Sequence, residues 1–224
     1  MNLSYAFVGL VAGIVIWALL VRRLTAKEWE TQSPANVIET AEAPRFASAR
    51  IGLWTFLAVV TSLFGLFISA YFMRMEHAHG DWSPLRLPQI VWLNTALLVL
   101  ASVAMQLARG AVKRGLRTRA GAALITGGLL TVAFLVGQLL AWYQLRASGY
   151  FIAGNIAVAF FYLLTAVHGL HLLGGLYVWA RTTARFSNHD IEIIDLRLSV
   201  ELCSVYWHYL LGVWLVLFAL LLSN

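Results

Sequence analysis

Val91–Leu107 reads Val-Trp-Leu-Asn-Thr-Ala-Leu-Leu-Val-Leu-Ala-Ser-Val-Ala-Met-Gln-Leu. It carries no charge, and its apolar side chains fall on every side of a helix rather than along one stripe, the pattern of a segment surrounded by lipid or by other apolar helices. At 1.5 Å of rise per residue, about twenty such residues cross a hydrocarbon core roughly 30 Å thick. A barrel strand would alternate apolar and polar residues over about ten positions. Neither this block nor Gly212–Leu222 does so. The chain as a whole is 61% hydrophobic and 12% charged with a mean hydropathy of +0.78, whereas roughly a quarter of a soluble domain is charged. The fold expected is all-α, a polytopic transmembrane helical bundle.

Working outward, six blocks qualify as spans: Leu3–Val21, Ile51–Met73, Gln89–Ala108, Gly121–Leu145, Phe151–Ala180 and Leu198–Leu222. The first has no basic segment ahead of it and is followed at once by Arg22 and Arg23, which reads as an uncleaved anchor rather than a secretory signal. The fifth is longer than a span needs, so it should tilt or extend past the bilayer. Thirteen Lys and Arg residues follow spans one, three and five, and three (Arg74, Arg86 and Arg146) lie on the other side. By the positive-inside rule the first group faces the cytoplasm and both termini lie outside. Three parts result: residues 1–23 as an extra N-terminal transmembrane helix, 24–49 as a cytoplasmic linker and 50–224 as a five-helix domain. The linker holds Pro34, Pro44 and four glutamates among small residues, too polar to bury much surface alone.

The net charge of +6 is spread between apolar blocks rather than gathered on a basic face, so nucleic acid is not an expected partner. Cys203 is the single cysteine, which rules out an internal disulfide and a thiolate metal cluster within the chain. The outer loop Glu76-His77-Ala78-His79-Gly80-Asp81 could bind a surface metal, although an exposed polar loop is the ordinary reading.

The informative residues are those that cost free energy in hydrocarbon: Asn94, Gln106, Gln138, Asn155, His168, His171, Glu201 and His208. His168 and His171, three apart, share a helical face beside Gly174 and Gly175. Two ligands at that spacing need a third for a metal site. Glu201 and His208, two turns apart on the last span, would supply it only awkwardly. Bis-histidine haem ligation by His168 and His208 is a second reading, and hydrogen-bonded helix packing is the third. Glu201 lies near the cytoplasmic end of its span, within reach of water or of Arg197 one turn away. Trp54, Trp82, Trp92, Trp142, Trp179 and Trp207 fall near expected span ends, as an interfacial belt would. Nothing resembles a nucleophile triad or a phosphate loop.

The run Gly52-Leu53-Trp54-Thr55-Phe56-Leu57 through Ser69-Ala70-Tyr71-Phe72 resembles the first conserved helix of subunit III of the haem–copper oxidases, both the cytochrome c and the quinol enzymes. Pro88 with Leu93-Asn94-Thr95 and Ser102, Gly137-Gln138 with Trp142, the His168-Gly169-Leu170-His171 run, and Glu201 through Tyr206-Trp207-His208 to Trp214 resemble the following helices, in order.

The resemblance implies an accessory subunit of a respiratory oxidase in a bacterial cytoplasmic (inner) membrane, with no cofactor of its own and haem and copper in the partner chains. It implies oxidase subunit I, the catalytic chain, and subunit II as partners, within a larger respiratory supercomplex. It also implies bound phospholipid and an influence on oxygen access and proton uptake. His168, His171 and His208 would be packing and hydrogen-bonding residues, alongside Asn94, Gln138, Glu201 and Trp207, with no catalytic, cofactor or metal ligand among them. The alternative is a haem-binding membrane cytochrome using the transmembrane histidines. Two acids common in the family are replaced here by Val60 and Leu211, so roles tied to them do not carry over. The family's shorter members have five helices and its longer ones seven, so the extra first helix needs its own explanation.

Overall fold

The structure is a computed structural model that describes residues 43–77, 87–150, 155–187 and 193–223. The chain divides into two units, Met1–Ala49 and Arg50–Asn224. Every regular element among the described residues is an α-helix: α1 (Ala43–Glu76), α2 (Ile90–Lys113), α3 (Arg117–Ala147), α4 (Ile156–Ser187) and α5 (Ile193–Leu222). All five are long and apolar enough to cross a membrane. Of the six spans expected, Leu3–Val21 lies outside the described residues, as does most of the linker. The helices overrun the expected spans because a helix continues into the polar interface once its backbone hydrogen bonds are running. Helix α4 begins at Ile156, and Phe151, the expected start of the fifth span, lies outside the described residues. Asn155 Oδ1 accepts from the backbone N–H of Ala157 at 2.9 Å, the work of a helix-starting residue.

A turn at Arg114–Leu116 reverses the chain between α2 and α3, with Gly115 at a φ of +74°, a conformation that costs other residues free energy. Thereafter neighbours alternate in direction. Along the α2/α5 seam, Arg109 meets Glu201, Gln106 meets Ser204, Thr95 meets Trp214 and Trp92 meets Phe218, so the two run antiparallel in one register. The α2/α3 seam is lined by small residues. A Cβ on Gly127 would approach the Ala101 carbonyl to 3.3 Å, so the two backbones lie close, as association in lipid requires.

Helix α1 is held differently. Only 17% of its most apolar window is buried, against 39–44% in the other spans. It meets the bundle through one stripe, Leu57, Val60, Phe64 and Tyr71, at heptad-like spacing. Phe64 reaches His168 and His171 on α4, and Tyr71 stacks edge-on against Phe160 at 5.4 Å. Large rings rather than close backbones therefore bridge α1 to its neighbours.

Candidate functional site

The polar residues inside the bundle fall into three levels, each joining at least two helices. At the expected cytoplasmic level, Glu201 on α5 receives Arg109 Nη2 from α2 at 2.7 Å and Arg50 Nη2 from α1 at 3.4 Å. The expectation for Glu201 is water or Arg197; its side chain keeps 24% of its surface exposed, and its ion-pair partners among the described residues are Arg109 and Arg50 rather than Arg197. An i to i+4 pair keeps both charges on one helix, whereas Arg109 ties two helices together at the same depth. Sequence reasoning missed Arg109, although its place at the cytoplasmic end of the third span was the available signal.

The second level is the α3/α5 contact. Trp207 is fully buried and donates Nε1–H to Thr131 Oγ1 at 2.8 Å, while Thr131 donates to the Gly127 carbonyl at 2.8 Å. Trp207 is thus not one of an interfacial belt. It is buried against α3 because the Thr131 hydroxyl accepts its indole N–H, and nothing in the sequence around Thr131 singles that residue out. Trp54 and Trp92 are well exposed, and Trp82 lies outside the described residues.

The third level holds Asn94, Gln138, His168 and Trp214. Asn94 Nδ2 donates to Gln138 Oε1 at 3.2 Å, both side chains being buried. Trp214 Nε1 donates to Thr95 Oγ1 at 3.0 Å. His168 is fully enclosed, its ring centroid 5.2 Å from that of Trp214, 6.0 Å from Phe134 and 6.4 Å from Phe64. Neither of its nitrogens has a hydrogen-bond partner among the described residues, nor do Asn94 Oδ1 and Gln138 Nε2. Val60 is buried in the apolar cluster that Phe64 also joins.

The other two histidines bond to their own helix. His171 Nδ1 lies 2.8 Å from the Val167 carbonyl and His208 Nδ1 2.6 Å from that of Ser204. A carbonyl can only accept, so in both rings Nδ1 carries the proton. The His171 ring lies against Phe56 and Phe64, whereas that of His208 is exposed.

The structure therefore does not bring the three histidines to a common centre. His168 is walled in by aromatic rings and His208 faces outward, so the haem-binding alternative finds no support. Among the described residues no three His, Cys, Asp or Glu side chains lie close enough to hold a metal. Of the outer-loop metal reading, His77 alone of the two histidines is described, and its Nδ1 bonds the Met73 carbonyl at 2.8 Å.

A family model described as Cytochrome c oxidase subunit III matches residues 30–223. The chain is similar to cytochrome c oxidase subunit 3 of Thermostichus vulcanus, 28% identical over 86% of this chain and 94% of the relative. It is similar to the probable cytochrome c oxidase subunit 3 of Mycobacterium leprae, 27% identical over 82% and 91%. It is also similar to subunit 3 of the cytochrome bo(3) ubiquinol oxidase of Pseudomonas aeruginosa, 26% identical over 75% and 80%. With one family model spanning all five helices, this chain belongs to the cytochrome c oxidase subunit III family.

Proposed function

We propose that this chain is the accessory, non-redox subunit III of a haem–copper terminal oxidase, packed on the catalytic subunit in a bacterial cytoplasmic membrane. The observation that carries this reading is the family match over residues 30–223, which takes in every membrane-capable helix described. Haem and copper belong to the partner chains in this reading, and dioxygen is reduced there. The chain's own part is to hold phospholipid and to support oxygen access and proton uptake. Relatives bear both cytochrome c and ubiquinol oxidase names, so the electron donor is set by another subunit.

Within this reading Asn94, Gln138, His168, His171, Glu201, Trp207 and His208 are packing residues. The cost in hydrocarbon of Glu201, Trp207, His171 and His208 is lowered by the ion pairs and hydrogen bonds described above and that of Asn94 and Gln138 by their mutual bond, while His168 is enclosed by rings alone. The thirteen-to-three division of Lys and Arg supports a six-span chain with both ends outside. The first block, Leu3–Val21, then docks on a partner or bounds a lipid site.

Purification from membranes tests the assignment. The chain should co-purify with a haem- and copper-bearing subunit, and the isolated chain should show no haem absorption. Stoichiometric haem in the isolated chain would overturn it.

A further inference from the structure

Four of the seven residues Lys113–Arg119, which join α2 to α3, are basic, whereas neither helix holds an Asp or Glu. Arg117 Nη2 donates to the Phe186 carbonyl at 3.0 Å and so serves the contact with α4. Lys113, Arg114 and Arg119 are exposed, and the ion pairs among the described residues, those of Arg50 and Arg109 with Glu201, include none of them. Arg119 also stands in the first turn of α3, where the positive end of the helix dipole repels a cation and no acid offsets it. An anion at this turn therefore relieves repulsion as well as gaining attraction.

Beneath the cations the same two helices expose apolar surface. Arg114 follows Leu107 by two turns and Arg119 precedes Thr126 by two, so each cation heads a line of outward residues, Val103 and Leu107 on α2 and Ala122 and Thr126 on α3. The Thr126 hydroxyl is spent on the Ala122 carbonyl at 2.9 Å. The close approaches of Gly127 to Ala101 and of Gly137 to Asn94 set the antiparallel register, which puts Leu107 level with Ala122 and Val103 level with Thr126. The result is one strip, apolar to within about 10 Å of Arg114 and cationic where one span ends at Lys113 and the next begins at Arg117. An acidic soluble protein would meet the cations and leave the apolar part uncovered. A phospholipid of net negative charge meets both, with its phosphate at the depth of the span ends.

We infer that Arg114 and Arg119 hold the phosphate of an anionic phospholipid whose acyl chain lies along Val103, Leu107, Ala122 and Thr126. The turn between the helices is three residues long, so the two guanidinium groups reach out from neighbouring helix ends, and packed helix axes stand about 8–10 Å apart. This rests on the membrane-subunit reading above, which gives the chain phospholipid to hold, and adds to it the place, the headgroup charge and the residues.

The test uses the whole oxidase, reconstituted in phosphatidylcholine vesicles doped with a phosphatidylglycerol that carries a photoreactive group on its acyl chain. Peptide mapping should place adducts within residues 103–126. Removing either cation, in Arg114→Gln or Arg119→Gln, should lower their yield by roughly fivefold, the effect of one basic residue near an anionic headgroup. Arg114→Lys combined with Arg119→Lys keeps the charges and should retain most of the labelling. On the unmodified complex, high salt should lower the yield, and the same photoreactive group on phosphatidylcholine should label the strip far less. Equal labelling by the two lipids, full labelling of the Gln variants, or displacement of the label by inorganic phosphate would each overturn the inference. Labelling of a partner subunit in place of the strip, the sign that a protein covers it, would do the same. A chain that fails to co-purify with a haem-bearing subunit sinks the subunit III assignment instead, whereas a lipid preference lost while that subunit is retained sinks the site alone.

Discussion

Arg109 Nη2 lies 2.7 Å from Oε1 of Glu201, with about a quarter of each side chain exposed, and the contact joins α2 to α5 at one end of the bundle. Removing the acid leaves a largely desolvated guanidinium without its partner. Glu201→Leu should therefore cost about 1.5–3 kcal/mol, the range for a charge-assisted hydrogen bond. Arg50→Ala should cost under about 0.5 kcal/mol, because its contact is long and half-exposed. Thermal unfolding of the chain in detergent should rank the two in that order, and equal losses would contradict the geometry.

Gly137 faces Asn94 so closely that a Cβ there would overlap the Asn94 side-chain oxygen. Gly137→Ala should push Asn94 off Gln138 and cost about 1–3 kcal/mol, the usual penalty for overpacking. Gly174→Ala is the control: nothing stands within 4 Å of its Cβ position, and helix propensity favours alanine by up to about 1 kcal/mol. A loss at Gly174 as large as that at Gly137 would refute the packing argument.

The five spans were legible because the bilayer imposes length and apolarity directly on the sequence, and Val91–Leu107 is one of several blocks that carry that mark. The polar levels were half legible. Asn94, Gln138 and Glu201 stand out by their cost in hydrocarbon, but the partner of each depends on rotation about the helix axis, which nearly uniform apolar surroundings do not encode. Arg197 was the reasonable local guess for Glu201, and Arg109 won through the antiparallel register of α2 and α5. Trp207 looked interfacial because indoles favour that zone, and its place inside followed from Thr131, an unremarkable residue until the helices meet.

Replacing Trp207 by benzothienylalanine keeps the bicyclic ring and removes only the N–H to Thr131, whose own hydroxyl stays bonded to the Gly127 carbonyl. The expected loss is about 0.6 kcal/mol and no more than about 1.7, as for other hydrogen bonds between membrane helices. Thr131→Val strands the indole N–H in a dry contact and should cost more. Unfolding midpoints of the two variants compared side by side check the asymmetry, and a benzothienylalanine loss exceeding that of Thr131→Val would reverse it.

His168 makes the sharpest contrast with the other polar residues, because its two nitrogens have no partner among the described residues although the ring is fully buried. An unpaired buried polar group costs about 1–3 kcal/mol, and replacing it by an apolar group of similar volume returns that cost. His168→Leu gives up ring contacts with Phe64, Phe134 and Trp214 worth about 0.5–1.5 kcal/mol each at most. The two effects oppose, so the variant should unfold within about 1 kcal/mol of the parent protein. A loss of 3 kcal/mol or more in the same detergent assay would mean that the imidazole is hydrogen-bonded after all, and would return His168 to the set of residues with a polar duty.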